Sequence, residues 1–214
     1  GWAYEDGSVP ESDLFNEGDI LYAQYIDYVD YDAKTETGDF YIEGAQIRLA
    51  SAAKELGEAL RFVVRRTDAT DALDIVEYGS VVAPSLAVGK SNLEIGKQYT
   101  YNSKQYEAKT VPAEILFGEG DGYEQYTVCV TNIANTNYAG MFTVRGYIIY
   151  EDLHGAQNVL YTDYYATNLV NIADVATKDP SVSEENKAYF SSLIETEKQR
   201  VKDKYAITNS NNTV

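Results

Sequence analysis

The chain has 214 residues, 44% of them apolar and 13% aromatic, enough for one globular domain with a sizeable core and too hydrophobic for a disordered tail. Seventeen bases against 34 acids leave a net charge of −17, which repels phosphate backbones and anionic bilayers, and no apolar run approaches the roughly 18 residues of a spanning helix. A single Cys and a single His exclude an internal disulfide, a cysteine-based zinc site, a CxxC redox pair and a two-histidine metal motif.

The charge is uneven. Residues 1–43 hold twelve acids and one base, Lys34, whereas the remaining 171 residues hold 22 acids and 16 bases. Gly1 without a Met reads as a tag-cleavage scar or a trimmed start, so a signal peptide, if there was one, is expected to have been cut away with it.

Taken in chain order, residues 1–19 read as an acidic loop punctuated by Gly7, Pro10 and Gly18. Residues 20–32 place Tyr22, Tyr25, Tyr28 and Tyr31 three apart, a spacing that aligns on neither a helix nor a strand, so this stretch is ordered but unassigned. From residue 39 the pattern is β. FYIEGAQIRLA carries Gly44 as a bulge or turn; ALRFVVRRT (59–67) alternates Leu60, Phe62 and Val64 against Arg61, Val63 and Arg65; DIVEYGSVVAP (74–84) is broken by Gly79. KQYTY, VPAEILF (111–117), YEQYTVCVTNI (123–133), MFTVRGYIIYED (141–152) and QNVLYTDYY (157–165) follow as strands, with hairpin-like connections at GEGDG (118–122) and LHGAQ (153–157). ATNLVNIADVA (166–176) then switches to a helical period, Asp179-Pro180 stops it, and Ser183 opens a second helix whose apolar stripe is Phe190, Leu193, Ile194 and Val201. ITNSNNTV reads as a frayed tail.

These elements predict a mainly antiparallel β-sandwich, immunoglobulin-like in broad architecture, with two C-terminal helices. The division expected is an acidic, Tyr-rich N-terminal segment (1–38), a β-sandwich domain (39–178) and a C-terminal helix and tail (179–214).

Four pieces in fixed order, GAQIRLA (44–50), ALRFVVR (59–65), VEYGSVVAP (76–84) and MFTVRGYIIYED (141–152) leading into NIADVA (171–176), resemble an uncharacterised β-rich module of secreted and cell-wall-attached proteins of clostridial gut bacteria. The resemblance covers residues 43–177 and implies an extracellular accessory module, found beside sugar-active domains, adhesion repeats or wall anchors. It carries over no catalytic residues, and it leaves the acidic N-terminal segment and the last helix outside.

Several constellations invite chemistry. Arg48, Arg61, Glu77 and Arg145 put one charge in each of four strands, where guanidinium forks could hold a carboxylate or uronic acid; a structural Arg–Glu network on the solvent faces is the plainer alternative. Twenty tyrosines suit stacking on sugar rings, and Tyr161, Tyr164 and Tyr165, or Tyr22 to Tyr31, could form a platform. Asp27, Asp30 and Asp32, and Glu119 with Asp121 in the glycine-rich turn, are the positions where calcium could bind, although neither has EF-hand spacing. His154 beside Gly155 falls in a turn, and Cys129 between Val128 and Val130 reads as a small core hydrophobe if those valines face solvent. A two-carboxylate glycosidase is neither supported nor refuted by 34 acids.

The expected function is a non-catalytic extracellular or cell-wall-associated module with no cofactor. Its partner would be a polysaccharide or a surface protein, not nucleic acid, and it would not insert into a membrane. The alternatives are a carbohydrate-binding module using a tyrosine platform and, further off, a glycoside-active enzyme.

Overall fold

A computed structural model describes residues 2–3, 22–23, 38–50, 58–88, 93–101, 103–152 and 154–210, with side chains from 38 to 204. In chain order the elements are β1 (Trp2–Ala3), β2 (Tyr22–Ala23), β3 (Phe40–Arg48), β4 (Ala59–Thr67), β5 (Asp74–Pro84), α1 (Ser85–Val88), β6 (Gln98–Tyr101), β7 (Lys104–Glu107), β8 (Lys109–Pro112), β9 (Leu116–Gly120), β10 (Tyr123–Thr131), β11 (Phe142–Glu151), β12 (Gln157–Tyr161), β13 (Tyr165–Thr167), α2 (Leu169–Lys178) and α3 (Glu184–Ser210). In the N-terminal segment β1 pairs antiparallel with β2, and the rest of the loop and tyrosine stretch lies outside the described residues.

Two antiparallel sheets pack face to face without closing into a barrel. One has four strands in the order β3-β4-β10-β9, the other five, β12-β11-β5-β8 with β13 beside β12 along β11. Alternation decides which residues meet between them. Leu60 and Phe62 of β4 and Val128 of β10 pack against Val82 of β5 and Val144 of β11, all of them buried. The sheets approach closely at Gly146, where an added Cβ would stand 2.9 Å from both Val64 and Phe40 of the facing sheet.

A third layer covers the outer face of the five-stranded sheet. Val81, Ala83 and Tyr147 from that face form a second apolar cluster with Val88, Leu93, Tyr99 of β6 and Ala108, so the α1 to β7 segment lies over it. Helix α2 starts at Asn168, whose side chain accepts from the Asn171 amide at 2.8 Å, and it ends at Asp179. Ala173 of α2 packs with Phe190 and Leu193 of α3, so α3 lies against α2 and the body of the fold.

Four expectations need correction. VPAEILF is not one strand: β8 belongs to the five-stranded sheet and β9 to the four-stranded one, and the chain crosses between them at residues 113–115. QNVLYTDYY is likewise split at 162–164 into β12 and β13. Gly79 does not break DIVEYGSVVAP, which runs as one strand, because the glycine serves a close approach of neighbouring chains. The tail at 207–210 continues α3 in helical form. Bulge-like register shifts do occur where Gly44 was read, between Ile42 and Gly44 of β3.

Candidate functional site

The four charged residues singled out from the strands divide between opposite sides of the molecule. Arg48 and Arg61 stand on the outer face of the four-stranded sheet, across the β3–β4 pairing. Arg145 and Glu77 stand on the outer face of the five-stranded sheet, in register with Val81 and Ile149 respectively. The two sheets join through their inner faces, so these four charges do not converge on a single ligand.

What does converge is Arg145 with Tyr161 and Tyr164. The chain leaves β12 at Tyr161, which is in register with Tyr147 and so shares Arg145's face, and re-enters the same edge at Tyr165, with Tyr164 in the gap between. The guanidinium carbon lies 4.5 Å from the centroid of each ring. Its Nε donates to the Thr162 carbonyl at 2.8 Å and its Nη1 to the Leu93 carbonyl at 3.3 Å, with the Tyr164 hydroxyl at 3.5 Å. Among the described residues no carboxylate lies within ion-pair distance of it, so the charge is carried by carbonyl dipoles and two ring faces. The hydroxyl of Tyr161 in turn accepts the Ile95 amide at 3.0 Å, tying the covering segment to the sheet. Next along the face, Tyr147 is fully buried and donates to Glu77 at 2.6 Å; burial first, and that hydrogen bond to a carboxylate second, push its hydroxyl pKa up.

The outer face of the four-stranded sheet carries the other group. Arg61 lies 4.8 Å over the Phe117 ring and Arg65 3.5 Å over the Tyr123 ring, while Arg65 pairs with Glu43 at 3.5 Å. Cys129 is on this face too, in register with Arg61, with the Arg48 Nη1 at 3.6 Å from its sulfur. The valines flanking Cys129 point into the core, the reverse of the orientation that would have buried the thiol there. Arg65 and Arg66 were not singled out from the sequence. Arg66 is the better satisfied: it pairs with Glu124 and with Asp71 at 2.6 Å, reaches Thr70 at 3.1 Å and lies 5.1 Å over Tyr78. The RR pair at 65–66 was the available signal, since one strand sends consecutive side chains to opposite faces.

An open groove of about 890 Å3 runs between β3 and α2, walled by Ala45, Ile47, Phe117, Tyr165, Ile172 and Phe190. It is mainly apolar, and its carboxylates, Glu43, Asp174 and Asp179, each have a cation or hydroxyl partner already, in Arg65, Lys178 and Ser181. Hydrogen bonds from the Ser181 hydroxyl and amide hold the Asp179 carboxyl below its usual range.

Glu119 and Asp121 sit in the β9–β10 hairpin, and among the described residues no three His, Cys, Asp or Glu side chains gather as metal ligands. Asp27, Asp30 and Asp32, and the tyrosines at 25–31, lie outside the described residues. His154 is exposed in the β11–β12 turn, where its backbone amide donates to Asp152 at 2.9 Å; hydrogen bonds from the Ala156 and His154 amides lower the Asp152 pKa. No helix of the described residues is long and apolar enough to cross a membrane. No family model, curated protein or solved structure matches the chain.

Proposed function

We propose that this chain is a non-catalytic accessory module of a secreted or cell-wall-attached bacterial protein, with an immunoglobulin-like sandwich at its centre. The observation that supports it most is the state of the Arg145 cluster. Among the described residues, the place where the candidate charged and aromatic side chains meet is already occupied by their contacts with each other and with the backbone. A sugar-binding platform needs coplanar rings with free faces. Here Tyr161 and Tyr164 each turn a face to the Arg145 guanidinium, and the Tyr161 hydroxyl is engaged by a backbone amide. The secreted setting rests on the resemblance of residues 43–177.

The test is a binding and hydrolysis screen of the full chain against soluble and insoluble plant and mucin polysaccharides, in calcium and in chelator. The reading expects no saturable, sugar-specific binding and no release of reducing ends. Specific binding lost in Tyr161→Ala or Tyr164→Ala would replace it with the carbohydrate-binding reading, and turnover would replace it with an enzyme.

A further inference from the structure

On a chain of net charge −17, the outward face of the four-stranded sheet gathers three arginines, of which Arg65 is paired with Glu43. Arg48 of β3 and Arg61 and Arg65 of β4 stand on it, with Phe117 and Tyr123 supplying ring faces beneath the two β4 guanidinium groups. Among the described residues no carboxylate lies within ion-pair distance of Arg61, and the Nε atoms of Arg61 and Arg65 are buried without a hydrogen-bond acceptor.

We propose that this face is the docking surface for the chain's own acidic N-terminal segment, residues 1–37. Three observations favour that occupant. The segment holds ten acids, one base and seven aromatic residues, the chemistry that complements guanidinium groups flanked by rings. It enters the fold at β3, the edge strand of this same sheet, so the dozen residues before Phe40, which include Asp30, Asp32 and Glu36, span up to about 40 Å if extended, more than the roughly 15 Å across four strands. An external polyanion would meet the whole molecule's negative field, whereas a tethered segment is present at an effective concentration on the order of millimolar.

Cys129 is the only cysteine and lies on this face beside Arg48 and Arg61, so its reaction with a neutral maleimide reports cover over the sheet. The experiment labels the full chain at about 0.01 M and at about 1 M salt, where the screening length falls from roughly 30 to 3 Å, and the proposal expects labelling at least about tenfold faster at high salt. The full-length variant Asp27→Asn, Asp30→Asn, Asp32→Asn, Glu36→Gln should label about tenfold faster at low salt, with the far-ultraviolet dichroism of the parent, because every group around the thiol is retained. Arg61→Gln with Arg65→Gln should lose the salt dependence. Equal rates in both salts and in the acid-neutralised variant would overturn the proposal. Protection that rises with protein concentration alongside a dimer in sedimentation would overturn it too, by assigning the face to the segment of a second copy.

Discussion

Gly79 sits where β5 passes β8 and the ring of Tyr147. A Cβ there would stand 2.3 Å from the Val111 carbonyl oxygen and 2.8 Å from the Tyr147 hydroxyl. Gly79→Ala therefore forces β8 or the Tyr147–Glu77 hydrogen bond to move, an overpacking cost of about 1–3 kcal/mol that would appear as a lower urea midpoint at unchanged slope. An unchanged midpoint would mean that β8 gives way to the added methyl at no cost. The tyrosine hydroxyls also set how stability depends on pH. Burial first, then hydrogen bonds to Glu77 and Glu58, raise the pKa values of Tyr147 and Tyr189 above the ordinary phenolic value of about 10. The folded state thus holds these protons more tightly than the unfolded chain does. Their contribution is fully present below about pH 10 and is lost as pH rises from there through the folded-state values. Thermal melts between pH 8 and about 11.5 should show a plateau and then a decline. Tyr147→Phe with Tyr189→Phe should make the decline shallower, and an unaltered decline would assign the alkaline limb to other groups.

At the scale of elements, the break between β12 and β13 is built as carefully as the strands. Thr162 interrupts the ladder, and its hydroxyl replaces the missing backbone partner, accepting from the Gly146 amide at 3.0 Å and donating to the Asp163 carbonyl at 2.7 Å. Thr162 is 2% exposed, so Thr162→Val strands a buried amide and costs about 1–3 kcal/mol by chemical denaturation; a change within about 0.5 kcal/mol would mean water replaces the hydroxyl. Helix α3 makes a parallel case. Leu193 is 4% exposed against α2, and Leu193→Ala should cost about 2–5 kcal/mol in one cooperative transition seen by both far-ultraviolet dichroism and tyrosine fluorescence. Two separated transitions would show that α3 folds apart from the sheets.

The same elements show what the sequence made legible. Strict alternation over a long run marked β4, where Leu60, Phe62 and Val64 face inward against three outward neighbours, and the helical period after residue 166, the Asp179 stop and the Ser183 start marked both helices, while the Asn168 cap that opens the first was not read. The crossings at 113–115 and 162–164 were invisible because neither contains a glycine or proline and apolar or aromatic residues flank both. Only the hydrogen-bond partner, which belongs to another part of the chain, tells which sheet a residue joins. The four strand charges fall on two different faces for the same reason. Alternation placed Arg61 and Arg145 correctly opposite their apolar neighbours, but the strand orders put those outer faces on opposite sides of the molecule. Tyr161 meets Arg145 through its register with Tyr147, and Tyr164 joins them from the gap between β12 and β13.

For the molecule as a whole, the charged and aromatic residues that suggest a ligand are engaged in joining layers. Arg145 links the five-stranded sheet to the segment lying over it through the Leu93 carbonyl, and Tyr161 does the same through the Ile95 amide. The outer face of the other sheet gathers its arginines over Phe117 and Tyr123. The most direct test is a double-mutant cycle of Arg145→Ala and Tyr161→Ala on unfolding free energy, with the full chain. If the cluster serves the fold, each single substitution destabilises by more than about 1 kcal/mol and the pair shows a coupling of about 0.5–2 kcal/mol. Single substitutions that leave stability within about 0.5 kcal/mol of the parent, with no coupling, would contradict this account and return Arg145 and its tyrosines to the role of a binding site.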